Sequence, residues 1–158
     1  MLLCGRGVLL RRRGRHEGER TDPALIDRRV VVEGGKQGRV FPAIRLKRAY
    51  EEPGEEDGFR VLVDRLWPRG VSREKARISL WVKDLAPSTG LRTWYHREPG
   101  KWDEFEGKYF RELDGCAEAV ELLLKEIGER GQVTFVYSSK NEERNNALAL
   151  KNYLLKKF

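Results

Sequence analysis

The segment Phe59–Gly70 constrains the fold most, because an apolar run in it changes abruptly into polar and charged residues. Val61, Leu62 and Val63 are consecutive apolar residues, a pattern typical of a β-strand that is covered on both faces. Asp64 and the residues up to Gly70 follow at once. Ligands in α/β proteins bind beyond the carboxyl ends of such strands. The segment therefore predicts a buried parallel strand over 59–63 with a site directly after it.

The remaining hydrophobic patterns predict an α/β fold. The run 132–137 indicates a second buried strand, and alternating apolar and basic residues over 44–50 indicate a half-buried one. The strands at 59–63 and 132–137 are separated by helical patterns, so a parallel crossover is expected. Ser72 is expected to cap a short helix over 73–76. Four further helices are predicted by Leu91–His96, by the stripe Trp102, Phe105, Tyr109 and Leu113, by Ala117, Val120, Leu124 and Ile127, and by Ala147, Leu150, Leu154 and Phe158.

The basic character of the chain is concentrated at its start. Residues 1–41 carry 10 Lys/Arg against 5 Asp/Glu, whereas residues 42–158 carry 22 against 20. The first segment is also rich in glycine and has little periodicity, apart from a possible strand at Val30–Val32. Three interpretations stay open: a basic arm that contacts polyanions, a solvated tail, or a start codon assigned too far upstream. We expect one α/β domain over 42–158, with a short parallel sheet flanked by helices, behind this extension.

Several classes of protein do not fit this composition. Cys4 and Cys116 have no paired spacing, which argues against a disulfide framework and favours a reducing, cytoplasmic location. His16 and His96 are far apart and no Cys-x-x-Cys occurs, so neither a metal site nor a cofactor is predicted. No apolar stretch reaches the roughly 20 residues that span a membrane.

The loop after the first buried strand offers candidate ligand-binding groups. Asp64 and Arg65 could form a fixed ion pair, with Asp64 as a candidate base. Arg69 could grip a carboxylate or phosphate through two hydrogen bonds. Trp67 would form a wall of the pocket, and Arg65 and Gly70 are further candidate ligand-binding residues. The alternative is that Asp64 merely ends the strand and that Trp67 lies in a packed corner.

The loop after the second buried strand suggests an anion site. Small polar residues between a strand and a helix can present backbone N–H groups to an anion. The alternative is plain helix capping, with Asn141 as the N-cap and two glutamates at the positive helix end. The candidate binding residues in this loop are Ser138, Ser139, Lys140, Asn141 and Arg144.

His96 is the histidine of the predicted domain and therefore a candidate general base near neutral pH. Arg92 lies one helical turn earlier and could share its binding partner. A structural or simply exposed role is the alternative for His96.

Six short motifs of the chain form a recognisable set: Asp64–Gly70, Trp81-Val-Lys83, Ala86-Pro-Ser88, Leu91-Arg92, Tyr137–Asn141 and Asn145–Leu148. Together they resemble the YeaO-like group of the domain of unknown function 488 family, from about Ile44 to the C-terminus. That resemblance implies an α/β fold and no established reaction. Relatives often have Asn-His where this chain has Asn145-Asn146, which argues against an essential base there.

Three hypotheses for function follow. The first is binding or turnover of a small anion, such as a nucleotide or phosphorylated metabolite, at the carboxyl edge of the sheet. Turnover would be hydrolysis or group transfer, since no dinucleotide fingerprint occurs. The second is nucleic-acid binding through residues 1–41, with Trp94, Tyr95 and Trp102 as stacking surfaces. The third is a non-catalytic partner-binding domain, which predicts an exposed apolar patch. The oligomeric state is not predicted.

Overall fold

The computed structural model describes residues 41–157, which form a four-stranded parallel sheet with five α-helices. The strands are β1 (Ala43–Arg48), β2 (Phe59–Leu62), β3 (Leu80–Trp81) and β4 (Gln132–Tyr137), and the helices are α1 (Arg73–Ala76), α2 (Thr89–Arg97), α3 (Trp102–Asp114), α4 (Ala117–Gly128) and α5 (Asn146–Lys157). The strands occur in the spatial order β1-β4-β2-β3, and every neighbouring pair is parallel. The predicted α/β class with a parallel sheet is therefore confirmed.

The two faces of the sheet are covered differently. Side chains alternate between the faces of a strand, so Val133 and Phe135 of β4 point to one face while Thr134 and Val136 point to the other. The first, the helix face, packs against buried residues of α2, α3, α4 and α5 in the main hydrophobic core. The second, the loop face, joins a smaller cluster that includes Leu62 and the segment after β2. The four longer helices thus all lie on one side.

The loop face buries an ionic cluster that the sequence patterns did not predict. Asp57 is 2% exposed and Arg60 3% exposed. The guanidinium of Arg60 donates to the Asp57 carboxylate through Nη1 and to the Ala76 carbonyl through Nε at 3.0 Å. Lys47 Nζ donates to the same carboxylate at 3.1 Å, and the Thr134 hydroxyl donates to the Asp57 carbonyl at 2.7 Å. The cluster therefore links β1, β2, β4 and α1.

Two opposing effects act on the Asp57 carboxyl. Burial alone would raise its pKa, because a charged group is disfavoured away from water. The Gly54 N–H, the Lys47 ammonium and the Arg60 charge outweigh this effect, and the pKa of Asp57 is lowered. Asp57 is thus held as a carboxylate by its partners.

Some predicted boundaries were wrong. β1 ends at Arg48 rather than at residue 50, because the chain turns there and the Glu51 N–H donates to the Arg48 carbonyl at 3.1 Å. In the predicted stripe of α4, Leu124 is only half-buried, and Leu123 is buried beside Val120 and Ile127 instead. β3 was not predicted, since two residues are too few to show a period. The possible strand at 30–32 and the predicted helix end at Phe158 lie outside the described residues.

Candidate functional site

The carboxylate of Asp64 joins the two loops that the sequence singled out. Its Oδ2 accepts a hydrogen bond from the Ser138 backbone N–H at 2.8 Å and another from the Ser138 hydroxyl. Its Oδ1 accepts from Asn146 Nδ2 at 3.0 Å. The end of β2, the end of β4 and the first turn of α5 therefore meet at one side chain.

The predicted ion pair between Asp64 and Arg65 was wrong. The Arg65 guanidinium instead donates to the carbonyls of Ala86, at 3.2 Å, and Pro87, at 3.4 Å. The chain bends at these two residues, so the turn sets the direction of each side chain. Asp64 reaches the loop after β4, while Arg65 reaches the segment that enters α2.

The segment that enters α2 is fixed by three further contacts, none of which the sequence predicted. Glu112 of α3 accepts hydrogen bonds from the Ser88 N–H, at 2.8 Å, and from the Ser88 hydroxyl. The Ser88 oxygen in turn accepts from the Leu91 N–H at 3.2 Å and so caps α2. The Tyr109 hydroxyl donates to the Leu85 carbonyl. Burial holds the pKa of Tyr109 well above its usual range, and the Glu112 and Asp64 carboxylates add to the rise. Of these contacts, only the helix cap could be anticipated from the sequence, because Ser88 precedes a helical pattern.

Trp67 lies in a packed corner on the loop face, which was the alternative interpretation of this residue. Its ring meets Trp81 in a T-shaped contact with centroids 5.6 Å apart, and its Nε1 donates to the Val71 carbonyl at 2.7 Å. The Arg73 guanidinium covers the ring at 5.0 Å. Gly70 follows in the turn with a φ of 75°. Arg69 is exposed beside it.

The loop after β4 uses most of its polar groups internally. Asn141 Oδ1 accepts from the N–H groups of Glu143, at 3.0 Å, and Arg144, at 2.9 Å. The Asn141 N–H donates to Ser139 Oγ at 3.2 Å. The prediction that Asn141 caps the final helix was wrong, because α5 begins later and Asn145 Oδ1 accepts from the Leu148 N–H at 2.9 Å.

Several of the basic residues predicted to bind a ligand have no partner for their charged groups. Arg69, Arg92, Lys140 and Arg144 are exposed, and within residues 41–157 their charged groups make no hydrogen bond or ion pair. Burial raises the pKa of the Tyr95 phenol, and the Arg144 charge partly offsets the rise, so Arg144 lies within electrostatic reach of α2. Arg92 and the exposed His96 belong to that same helix.

Two kinds of feature are absent from residues 41–157. Across that range no cluster of His, Cys, Asp and Glu could hold a metal ion, and no helix is long and apolar enough to cross a membrane. A shallow cleft away from the predicted residues is lined by Glu52, Pro53, Glu74, Lys75 and Arg77.

The three rings proposed as nucleic-acid stacking surfaces are already engaged. Tyr95 stacks on Phe105 with centroids 4.4 Å apart, and Trp102 stacks on the same ring at 5.5 Å. Lys108 Nζ lies 3.7 Å from the centre of the Trp94 ring. The proposed basic arm, apart from Phe41, lies outside the described residues.

Comparisons with known proteins place the chain in a family. The family model described as "Inactive DUF488-N3 subclade" matches residues 43–158. Uncharacterized proteins of Mycobacterium tuberculosis and Mycobacterium bovis are each 40% identical to the chain over 111 residues, which is 70% of this chain and 92% of theirs. The uncharacterized protein YeaO of Escherichia coli is 38% identical over 111 residues, 96% of its length. No solved structure matches. The chain is therefore a YeaO-like member of the DUF488 family, within the subclade described as inactive.

Proposed function

We propose that the protein binds a small anionic ligand, a nucleotide or phosphorylated metabolite, at the carboxyl edge of the sheet without turning it over. The proposal rests on one contrast: the carboxylate at this edge is already hydrogen-bonded within the protein, whereas the exposed cations are not. Asp64, the candidate base, is occupied by three hydrogen-bond donors. The exposed cations Arg92, Lys140 and Arg144 have no hydrogen-bonded or ionic partner for their charged groups among the described residues.

The hydrogen bonds of Asp64 argue for binding rather than catalysis. A general base must accept a proton from the reacting group and therefore needs a free lone pair aimed at the ligand. Three of the about four lone-pair sites of the Asp64 carboxylate instead accept hydrogen bonds from Ser138 and Asn146, so the carboxylate is held mainly by the fold. His96 is exposed and has no hydrogen-bonded partner in the described range that would orient it. The description of the family's subclade as inactive agrees with this assignment.

The side chains, rather than the backbone, are the proposed anion-binding groups. The N–H groups of Ser138, Asn141, Glu143 and Arg144 are consumed within the site. Arg92 and Arg144 are left to bind a phosphate through paired hydrogen bonds, and Lys140 adds a point charge. The Asn141 turn holds the backbone of Arg144 in place, which reduces the entropy lost on binding.

The proposal is tested by a thermal-shift screen of the full-length chain against inorganic phosphate, nucleotides and sugar phosphates. A ligand at 100 times its dissociation constant should stabilise the protein by about 2.7 kcal/mol, which raises the melting temperature measurably. Arg144→Ala should remove the shift. Lys125→Ala, which removes an exposed and unpaired cation from α4, is the matched control and should retain it.

Two results would overturn the proposal. One is the lack of any shift with these small anions. The other is a shift that Arg144→Ala and Lys125→Ala reduce equally, because the binding would then reflect net charge alone. For any ligand found, phosphorus NMR after prolonged incubation should show the ligand unchanged. Conversion that Asp64→Asn abolishes would instead establish catalysis.

A further inference from the structure

We propose that two copies of the chain associate through the carboxyl edge of the sheet, about a two-fold axis near the end of β4. Tyr50 and Glu51 of each copy would contact Leu66 and Arg69 of the other. The interface would border the proposed anion site, since both lie at the carboxyl edge, but it rests on other side chains, those of Tyr50, Glu51, Leu66 and Arg69.

Exposed apolar side chains identify the surface. Among the described residues, the large hydrophobic side chains that are exposed are Tyr50 at 52%, Leu66 at 65% and Leu122 at 39%. A single exposed leucine needs no explanation. Here, however, Tyr50 and Leu66 both lie in loops that leave the same edge of the sheet, so a single partner can cover both.

The strand order makes this edge suitable for two-fold pairing. β4 lies between β1 and β2, so the loops that carry Tyr50 and Leu66 flank the end of β4, one strand away on either side. Neighbouring strands are about 4.8 Å apart, so the two loops leave the sheet roughly 10 Å apart. A two-fold axis normal to the sheet, beyond the loop that follows β4, exchanges these positions. It brings Tyr50 of one copy to Leu66 of the other, and the reverse contact follows from the symmetry.

Both loops are held in place before any partner arrives. Leu66 lies between Arg65 and Trp67, and the side chains of both donate to backbone carbonyls. Trp81 Nε1 also donates to the Asp64 carbonyl at 2.7 Å. On the other side the Arg48 guanidinium covers the Tyr50 ring at 5.4 Å and donates to the Ser139 carbonyl at 3.0 Å. Such loops lose little conformational entropy on binding.

The charges favour a second copy over other occupants. The loop after β1 carries the exposed Glu51, and the segment after β2 carries the exposed Arg69 and Arg73, whereas Glu52 lines a cleft with Lys75 and Arg77 of the same copy. Two-fold pairing places the acidic loop of each copy opposite the basic segment of the other, so the favourable contact occurs twice. The basic segment 1–41 would be repelled by Arg69 and Arg73, and an acidic partner would match only half of the edge. Self-association is the arrangement in which both halves are complementary.

The oligomeric state of the full-length chain tests the proposal. Two apolar side chains per copy make a small interface, so we expect dissociation in the micromolar range. In sedimentation equilibrium, the mean mass should rise from the monomer value of 18.4 kDa toward twice that value as the concentration increases. Leu66→Ser should keep the protein monomeric, whereas Leu122→Ser, which changes an exposed leucine of α4, should behave like the unmodified chain.

A charge exchange tests the proposed pairing itself. Arg69→Glu and Glu51→Arg should each weaken the dimer about tenfold or more, because each sets like charges against each other. The double variant should recover most of the lost affinity. Both residues are exposed, so circular dichroism should show all variants folded. The proposal is overturned by a monomer at every concentration, by assemblies that grow beyond two copies, or by a double variant as weak as the single ones.

Discussion

The side-chain amide of Asn146 donates to the carboxylate of Asp64 at 3.0 Å and also to the Val63 carbonyl at 3.1 Å. One neutral group thus fixes the first turn of α5 to the end of β2. Because an amide does not take up a proton at neutral pH, the partner of Asp64 holds the carboxylate in position and does not exchange a proton with it.

Asp64→Asn should destabilise the protein by about 2 kcal/mol, because the new amide group faces donors that need an acceptor. Ser138→Ala should cost less, about 1 kcal/mol, since its backbone N–H still donates to Asp64. Urea unfolding at neutral pH measures both values. Asp84→Asn is the control, as the Asp84 carboxylate is half-buried and has no hydrogen-bond partner within residues 41–157. Equal effects at positions 64 and 84 would contradict the structural role of Asp64.

The meeting of Asp64 and Ser138 follows from the sequence, whereas the direction of Arg65 does not. Two buried apolar runs separated by helices predict parallel strands, and parallel strands end at one edge. Which way a side chain points just after a strand depends on the turn that follows, and residue type does not reveal it. The wrong prediction for Arg65 thus has a simple cause: adjacency in sequence was taken for adjacency of side chains.

Other contacts had no local signal at all. Glu112 lies on the apolar-striped α3, 24 positions from Ser88, with which it pairs. Asp57 lies in a segment with the pattern of an exposed acidic turn, yet it is buried against Arg60. Both depend on how distant segments pack, which hydrophobic periodicity does not encode.

The stability of the protein should fall in acid because of Asp57. The pKa of this carboxyl is lowered in the folded state from an ordinary value of 3.8. Its contribution is therefore complete above that ordinary value and is lost as the pH falls through the lower folded pKa. Urea unfolding between neutral pH and about pH 2.5 should show this loss.

Asp57→Asn isolates the contribution of Asp57. It leaves the charges of Arg60 and Lys47 without their partner, so about 3 kcal/mol or more should be lost at neutral pH. The difference in the free energy of unfolding between this variant and the unmodified chain should shrink in acid, because Asp57 of the unmodified chain is then also neutral. Glu56→Gln, at an exposed neighbour 3.9 Å from Lys47, should have little effect. A difference between Asp57→Asn and the unmodified chain that does not change with pH would argue against a lowered pKa.

Glu112→Gln should weaken the attachment of α2. The glutamate accepts two hydrogen bonds from Ser88, and a glutamine would turn an N–H₂ group toward one of these donors. We expect a loss of about 1–2 kcal/mol in urea unfolding. Glu118→Gln, at an exposed position in the first turn of α4, serves as the control. Similar curves for the two variants would show that the Ser88 contact contributes little.

Gly58→Ala should be more damaging than Gly70→Ala, although both glycines have positive φ values of 61° and 75°. A Cβ at position 58 would lie 2.4 Å from the Gln132 carbonyl oxygen, where β2 begins beside β4, whereas nothing lies within 4 Å of a Cβ at position 70. Gly70→Ala should therefore cost only the backbone strain, about 1 kcal/mol. Gly58→Ala adds displacement of a sheet backbone and should cost about 3 kcal/mol or more. Thermal and urea unfolding of the two variants measure the difference, and equal losses would show that the sheet yields easily at Gln132.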